Sequence, residues 1–130
     1  MPTKPNKDFL PRTIEPPEFK NFLDEIADKI EETVNYGTHI LSWITNDEKW
    51  VKTDIDTPLI LLFKYSLELL DAISILVRQM SIDSCKNLLR VYLETMFYIE
   101  YLTEKDTELR CKCYLICYFE STLRSNLRFI

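Results

Sequence analysis

Thr57-Pro58-Leu59-Ile60-Leu61-Leu62-Phe63-Lys64-Tyr65-Ser66-Leu67-Glu68-Leu69-Leu70-Asp71-Ala72-Ile73-Ser74-Ile75-Leu76-Val77-Arg78-Gln79-Met80 holds no glycine, and no proline beyond its second position. Threonine can cap free amides, and a proline at the first helical position loses nothing, so Thr57-Pro58 predicts the start of a helix that runs to about Met80. Lys64, Glu68, Asp71 and Arg78 form a polar strip along it. Those charges also interrupt the apolar run well short of a membrane span.

Working outward, Ser81-Ile82-Asp83-Ser84 opens a further helix to about Thr103, and Asp106 caps another that runs to the end of the chain. On the N-terminal side, Phe19, Phe22, Leu23, Ile26, Ile30, Val34, Leu41 and Ile44 follow the three-and-four spacing of an amphipathic helix over Glu18 to Thr45. Gly37, the one glycine of the chain, falls on that apolar face. A glycine inside a helix costs up to about 1 kcal/mol relative to alanine, a loss that close approach of another helix would offset. Asn46 to Thr57 reads as a long polar loop. Five of the six prolines lie in residues 1–17, an extended arm. The expectation is an all-α fold: an antiparallel four-helix bundle-like domain over 18–130, preceded by a proline-rich arm. Two apolar residues close the chain at Phe129-Ile130 without a stop signal, from which we expect the last turn to dock or the natural chain to continue.

Composition bounds the function. At 130 residues with 46% hydrophobic residues, one domain can bury a core without disulfide or metal. The net charge is −5, and the acid is concentrated at the front: residues 1–57 carry seven basic and twelve acidic groups. A pI near 4.9 argues against indiscriminate nucleic-acid binding. With no apolar leader or membrane span, the chain reads as cytosolic, and its four cysteines as reduced.

Several residues could carry chemistry. Arg90 and Glu94, one helical turn apart, stand in a strip with Asp83, Asn87 and Tyr101, beside Phe97 and Tyr98. Glu68 and Asp71 share one face of the preceding helix, so a facing arrangement would let Arg90 grip a carboxylate. Ordinary solvent-facing helix surfaces are the competing account of both strips. His39, the only histidine, lies near Tyr36, Ile40 and Trp43; it is the best acid or base available, although packing near aromatics is its more usual role. Arg110, Arg124 and Arg128 line a stripe with Cys117 and Ser121, suited to an acidic partner or an anionic ligand. Cys111, Cys113 and Cys117 lack the ligand spacing of a zinc site and read as small buried thiols, so neither a metal nor a cofactor is expected.

The blocks Gly37-Thr38-His39-Ile40-Leu41-x-Trp43, Asp71-Ala72-Ile73-Ser74-Ile75-Leu76, and Ser84 with Leu88-Leu89-Arg90-x-x-x-Glu94 and Tyr101-Leu102 resemble an uncharacterised all-helical bacterial domain-of-unknown-function family over roughly Gly37 to Tyr114. That resemblance implies a helical fold, no known reaction, and His39, Asp71, Arg90 and Glu94 as positions to test. A looser similarity is to the HEPN group of helical bundles, many of them ribonucleases of bacterial conflict systems. They carry a histidine shortly after an arginine, and no histidine follows Arg90 or any other arginine in that way. The sequence therefore points first to a helical interaction or regulatory module, self-associating or bound to a protein partner. Its rival is an enzyme on RNA or nucleotides that uses His39 and Arg90.

Overall fold

A computed structural model describes residues 16–47, 53 and 55–127. It holds four helices: α1 (Pro17–Asn46), α2 (Asp56–Arg78), α3 (Ile82–Glu104) and α4 (Thr107–Leu127). The expected all-α, bundle-like architecture is what forms. The arm before Pro16 and most of the polar loop lie outside the described residues.

α2 is the central helix. Its N-terminal half meets the end of α3 and the start of α4, where Leu62, Leu102 and Cys111 are buried together with Ile55, Leu59, Ile99 and Tyr114 around them. Its C-terminal half meets α1 and the start of α3, where Leu23, Ala27, Ile73 and Val77 form a second core ringed by Ile30, Met80, Cys85, Leu88 and Tyr92. These pairings make α1, α2 and α3 successive antiparallel neighbours. α4 approaches only α2 and α3.

Small side chains let the helices close on one another. Ser66, Ser74 and Thr95 are buried, and each hydroxyl donates to a carbonyl of its own helix: Phe63 O at 2.7 Å, Asp71 O at 2.7 Å and Val91 O at 2.9 Å. A buried hydroxyl satisfied in this way asks nothing of its neighbour. Gly37 marks a close approach of α1 and α2. A β-carbon there would collide with Leu67 Cδ2 and lie 3.2 Å from Cδ1, which is the close approach its place on the apolar face predicts.

Charge fastens the far end of α2. Lys20 Nζ donates to Arg78 O at 2.7 Å, putting a cation on the carbonyl end of the helix, and the Arg78 guanidinium reaches back to Asp28 at 2.9 Å and Glu31 at 2.8 Å on α1. The chain then reverses through a Schellman closure, with Met80 N–H on Val77 O and Ser81 N–H on Leu76 O. Met80 holds the left-handed position (φ 58°) that glycine usually takes, and its side chain packs on the core.

Two starts differ from expectation. α2 begins at Asp56 with no side-chain cap on its free amides, and its first residue holds the turn before it: Asp56 Oδ2 accepts the Thr53 N–H at 2.9 Å and the Thr53 hydroxyl at 2.6 Å. Thr57 is therefore inside the helix, and Pro58 still costs no intrahelical bond because the first-turn amides have none to lose. At α3, Ser81 is the cap residue by position, but its side chain makes no capping hydrogen bond.

The Gly37–Leu67 approach yields a signed prediction. Gly37→Ala should lower stability by about 1 kcal/mol, because overpacking of roughly 1–3 kcal/mol outweighs a helix-propensity gain near 1 kcal/mol. In a Leu67→Val background, which removes the colliding methyl carbons, the same substitution should stabilise. Urea unfolding of the four proteins of this cycle measures both signs.

Candidate functional site

The polar strips face water. Arg90 Nε donates to Glu94 Oε1 at 3.0 Å, with the arginine side chain 81% exposed, and Lys64 lies 3.7 Å from Glu68. Asp71 is exposed on the same helix, and neither carboxylate of α2 is paired with Arg90. A pair in this setting contributes a few tenths of a kcal/mol and organises nothing beyond its own turn. His39 is exposed on α1, as are Tyr36 and Trp43 near it. His39, Glu68, Asp71, Arg90, Glu94 and Arg110 are thus scattered over four helices, and of these the structure brings only Arg110 into a concave site.

Arg110 stands apart. Its side chain is only 14% exposed, its Cζ lies 4.0 Å from the centre of the Tyr101 ring, and it donates to Tyr101 O while pairing with Glu104 at 3.5 Å. It therefore ties the start of α4 to the end of α3, neutralising carbonyls that α3 leaves open at its C-terminus. The turn between these helices has two residues, Lys105 in an extended conformation and Asp106 in a left-handed one (φ 49°), which aspartate tolerates better than most.

Beyond this anchor α3 and α4 diverge, leaving a groove of about 750 Å³ between them. Tyr98, Tyr101, Tyr114 and Tyr118 supply most of its aromatic surface, with Cys113, Cys117 and Ser121 along α4. Tyr98 and Tyr114 meet across it in a tilted pair with ring centres 6.3 Å apart. Cys117 and Ser121, expected on the arginine stripe, do share it with Arg110. Arg124 lies further out, paired to Glu120 at 2.5 Å, and Arg128 falls outside the described residues.

Only one of the three α4 thiols is buried. Cys111 is 0% exposed, whereas Cys113 and Cys117 are open to solvent, because α4 packs through its first turns and only on the Cys111 side. Among the described residues no group of three acidic, cysteine or histidine side chains is placed to hold a metal ion. Nor is any described helix long and apolar enough to cross a membrane.

The outer face of α4 was not picked out from the sequence. Leu109, Ile116 and Leu123 recur every seven residues with Phe119 and Leu127 beside them, and all five are exposed. The signal was present as a heptad spacing on the side opposite Cys111 and Tyr114.

Burial pushes the Cys85 thiol up from its ordinary value of 9.0; at Cys111 burial does the same, with the charge of Asp56 adding. Tyr114 is likewise raised above 10.0, first by burial and then by Tyr98 and Tyr118. All three are thus kept uncharged by folding, so their contribution is complete below the unfolded values and is lost as pH rises through the folded ones. Melting temperature should fall from about pH 9 upward, and Cys111→Ala should flatten that alkaline slope. In the native protein, maleimide mass labelling should modify Cys113 and Cys117 rapidly and Cys111 only after denaturant is added.

Residues 56–125 match the model of a family described as a family of unknown function (DUF5677). The matched segment runs from the first residue of α2 into the last turn of α4. No curated protein and no solved structure matches the chain.

Proposed function

The chain belongs to the DUF5677 family of unknown function, and from that premise we propose that it is a helical interaction module whose working surface is built by α3 and α4. The observation that carries this reading is α4 itself. It is apolar on two sides, one docked over its first turns and the other bare, and it borders a groove rich in tyrosine. A helix apolar on more than one side is stable when it is covered on more than one side. Tyrosine and arginine at a concave, partly desolvated site are also the residues that carry binding energy between proteins.

α3 also leaves Leu89, Leu93, Met96 and Phe97 exposed. The module acts in the cytoplasm on this reading, where its free thiols stay reduced.

Multi-angle light scattering at micromolar concentration, together with affinity capture from the cells that make the protein, tests the proposal. The expected result is a species larger than one chain, or a stoichiometric protein partner, and its loss on Tyr118→Ala combined with Leu123→Ser. A strict monomer that captures no partner would rule it out.

A further inference from the structure

We propose that Cys113 and Cys117 form a two-thiol site for a soft monovalent cation of the Cu(I) class, on the α4 wall of the tyrosine groove. The site goes beyond the interaction-module reading and stands without it. Both thiols are free and exposed, and both line the groove of about 750 Å³, whereas Cys111 is buried in the core beneath α4.

Spacing decides what the pair can hold. Residues four apart on a helix are neighbours, with β-carbons about 5–6 Å from each other. A disulfide needs about 3.5–4.5 Å between the same atoms, so these two thiols cannot join to each other while α4 stays helical. A metal ion bonded to both sulfurs spans them more easily, since two bonds of about 2.3 Å reach across roughly 4.6 Å and side-chain rotation closes the remainder. The helix thus bars the internal disulfide and keeps the pair at chelating distance.

Donor number and type then choose the ion. Zinc takes three or four protein ligands, and among the described residues no group of three acidic, cysteine or histidine side chains is placed to supply them. Magnesium and calcium call for oxygen ligands. Cu(I) is selected by soft sulfur donors and is satisfied by two of them. Binding is a proton exchange with no electron transferred: the ion displaces one proton from each thiol, and both protons leave to solvent. The bis-thiolate complex carries one net negative charge. Arg110 lines the same groove one turn before Cys113, where its positive charge favours that product, and Ser121 adds a hydroxyl one turn beyond Cys117.

Anaerobic titration of the reduced full chain with Cu(I), in competition with a chromophoric Cu(I) chelator, tests the site. One retained ion per chain is expected. Cys113→Ser and Cys117→Ser should each weaken retention by about 10²–10⁴-fold, the gain that linking two donors confers, while Cys111→Ala leaves it unchanged. Cys117→Ser/Phe119→Cys keeps two thiols at exposed positions of α4 but turns them to different faces of the helix, so it should behave like the single serine variants. Circular dichroism of the variants at 113, 117 and 119 should match the wild type, because all three side chains are exposed.

Retention by Cys117→Ser/Phe119→Cys equal to that of the wild type would overturn the proposal, since any two surface thiols would then suffice. A wild-type chain that yields copper to the chelator as readily as the single variants would overturn it as well. One ion per two chains would place the metal between molecules and overturn the chelate within one helix. Zn(II) held as tightly as Cu(I) would overturn the choice of ion. Oligomeric state and captured partners, which decide the interaction module, are read separately from all of these.

Discussion

Because α2 buries Leu62, Ser66, Leu69, Ile73 and Val77 over one arc and Leu67 and Ser74 over another, it must be flanked on two sides, and α1 and α3 take those places. Close packing is what makes that double cover work. Ala27 and Gly37 on α1, Ser66 and Ser74 on α2 and Thr95 on α3 are small, and every one of them is buried. A larger residue at such a position has to push a neighbour aside, since interiors are packed to crystal-like density. The fourth helix meets this arrangement at one end, where Leu62, Leu102 and Cys111 are buried together.

Electrostatics reinforces this division. Arg78 joins Asp28 and Glu31 between α1 and α2, and Arg110 joins Glu104 between α3 and α4, at two ends of the assembly. Elsewhere, as at Lys64–Glu68, Arg90–Glu94, Lys112–Glu108 and Arg124–Glu120, the partners belong to one helix. Local pairs support a helix but do not orient it. A semi-buried arginine, its aromatic contact with Tyr101, the Tyr98–Tyr114 pair and a core of a few residues help to place α4, while its later turns are exposed.

The fold was legible in the sequence where a single periodicity decides the matter. α1 displays its stripe plainly, and the placement of Gly37 on that stripe foretold the approach of Leu67. The start of α2 was harder, since Thr57-Pro58 is a good start signal that loses to the Thr53–Asp56 contacts a turn earlier. The reversal at Met80 left no mark, because packing of the methionine side chain stands in for the glycine that normally announces such a turn. The functional candidates were less legible still. Arg90 and Glu94 among aromatics suggested a polar strip against protein or ligand, yet in the single chain Phe97, Tyr98 and Tyr101 are as exposed as the charges. An aromatic neighbour in sequence says nothing about which side of the helix is covered.

That ambiguity runs deeper than one motif. Hydrophobic spacing records that a face is destined for burial without recording what buries it. In α1 the stripe through Leu23, Ala27 and Ile30 is covered by α2 of the same chain, so reading it as core is correct. In α4 the stripe through Leu109, Ile116 and Leu123 has the same regularity and faces solvent. What separates the two is the flanking charge. The stripe of α1 is bordered by carboxylates that Arg78 of the next helix collects, whereas beside that of α4 Glu108 pairs with Lys112 and Glu120 with Arg124 on the same helix. A surface that must meet another element of its own chain can be complementary to that element. On α4 the bordering charges answer one another within the helix, so they support it without tying the stripe to another element of the chain.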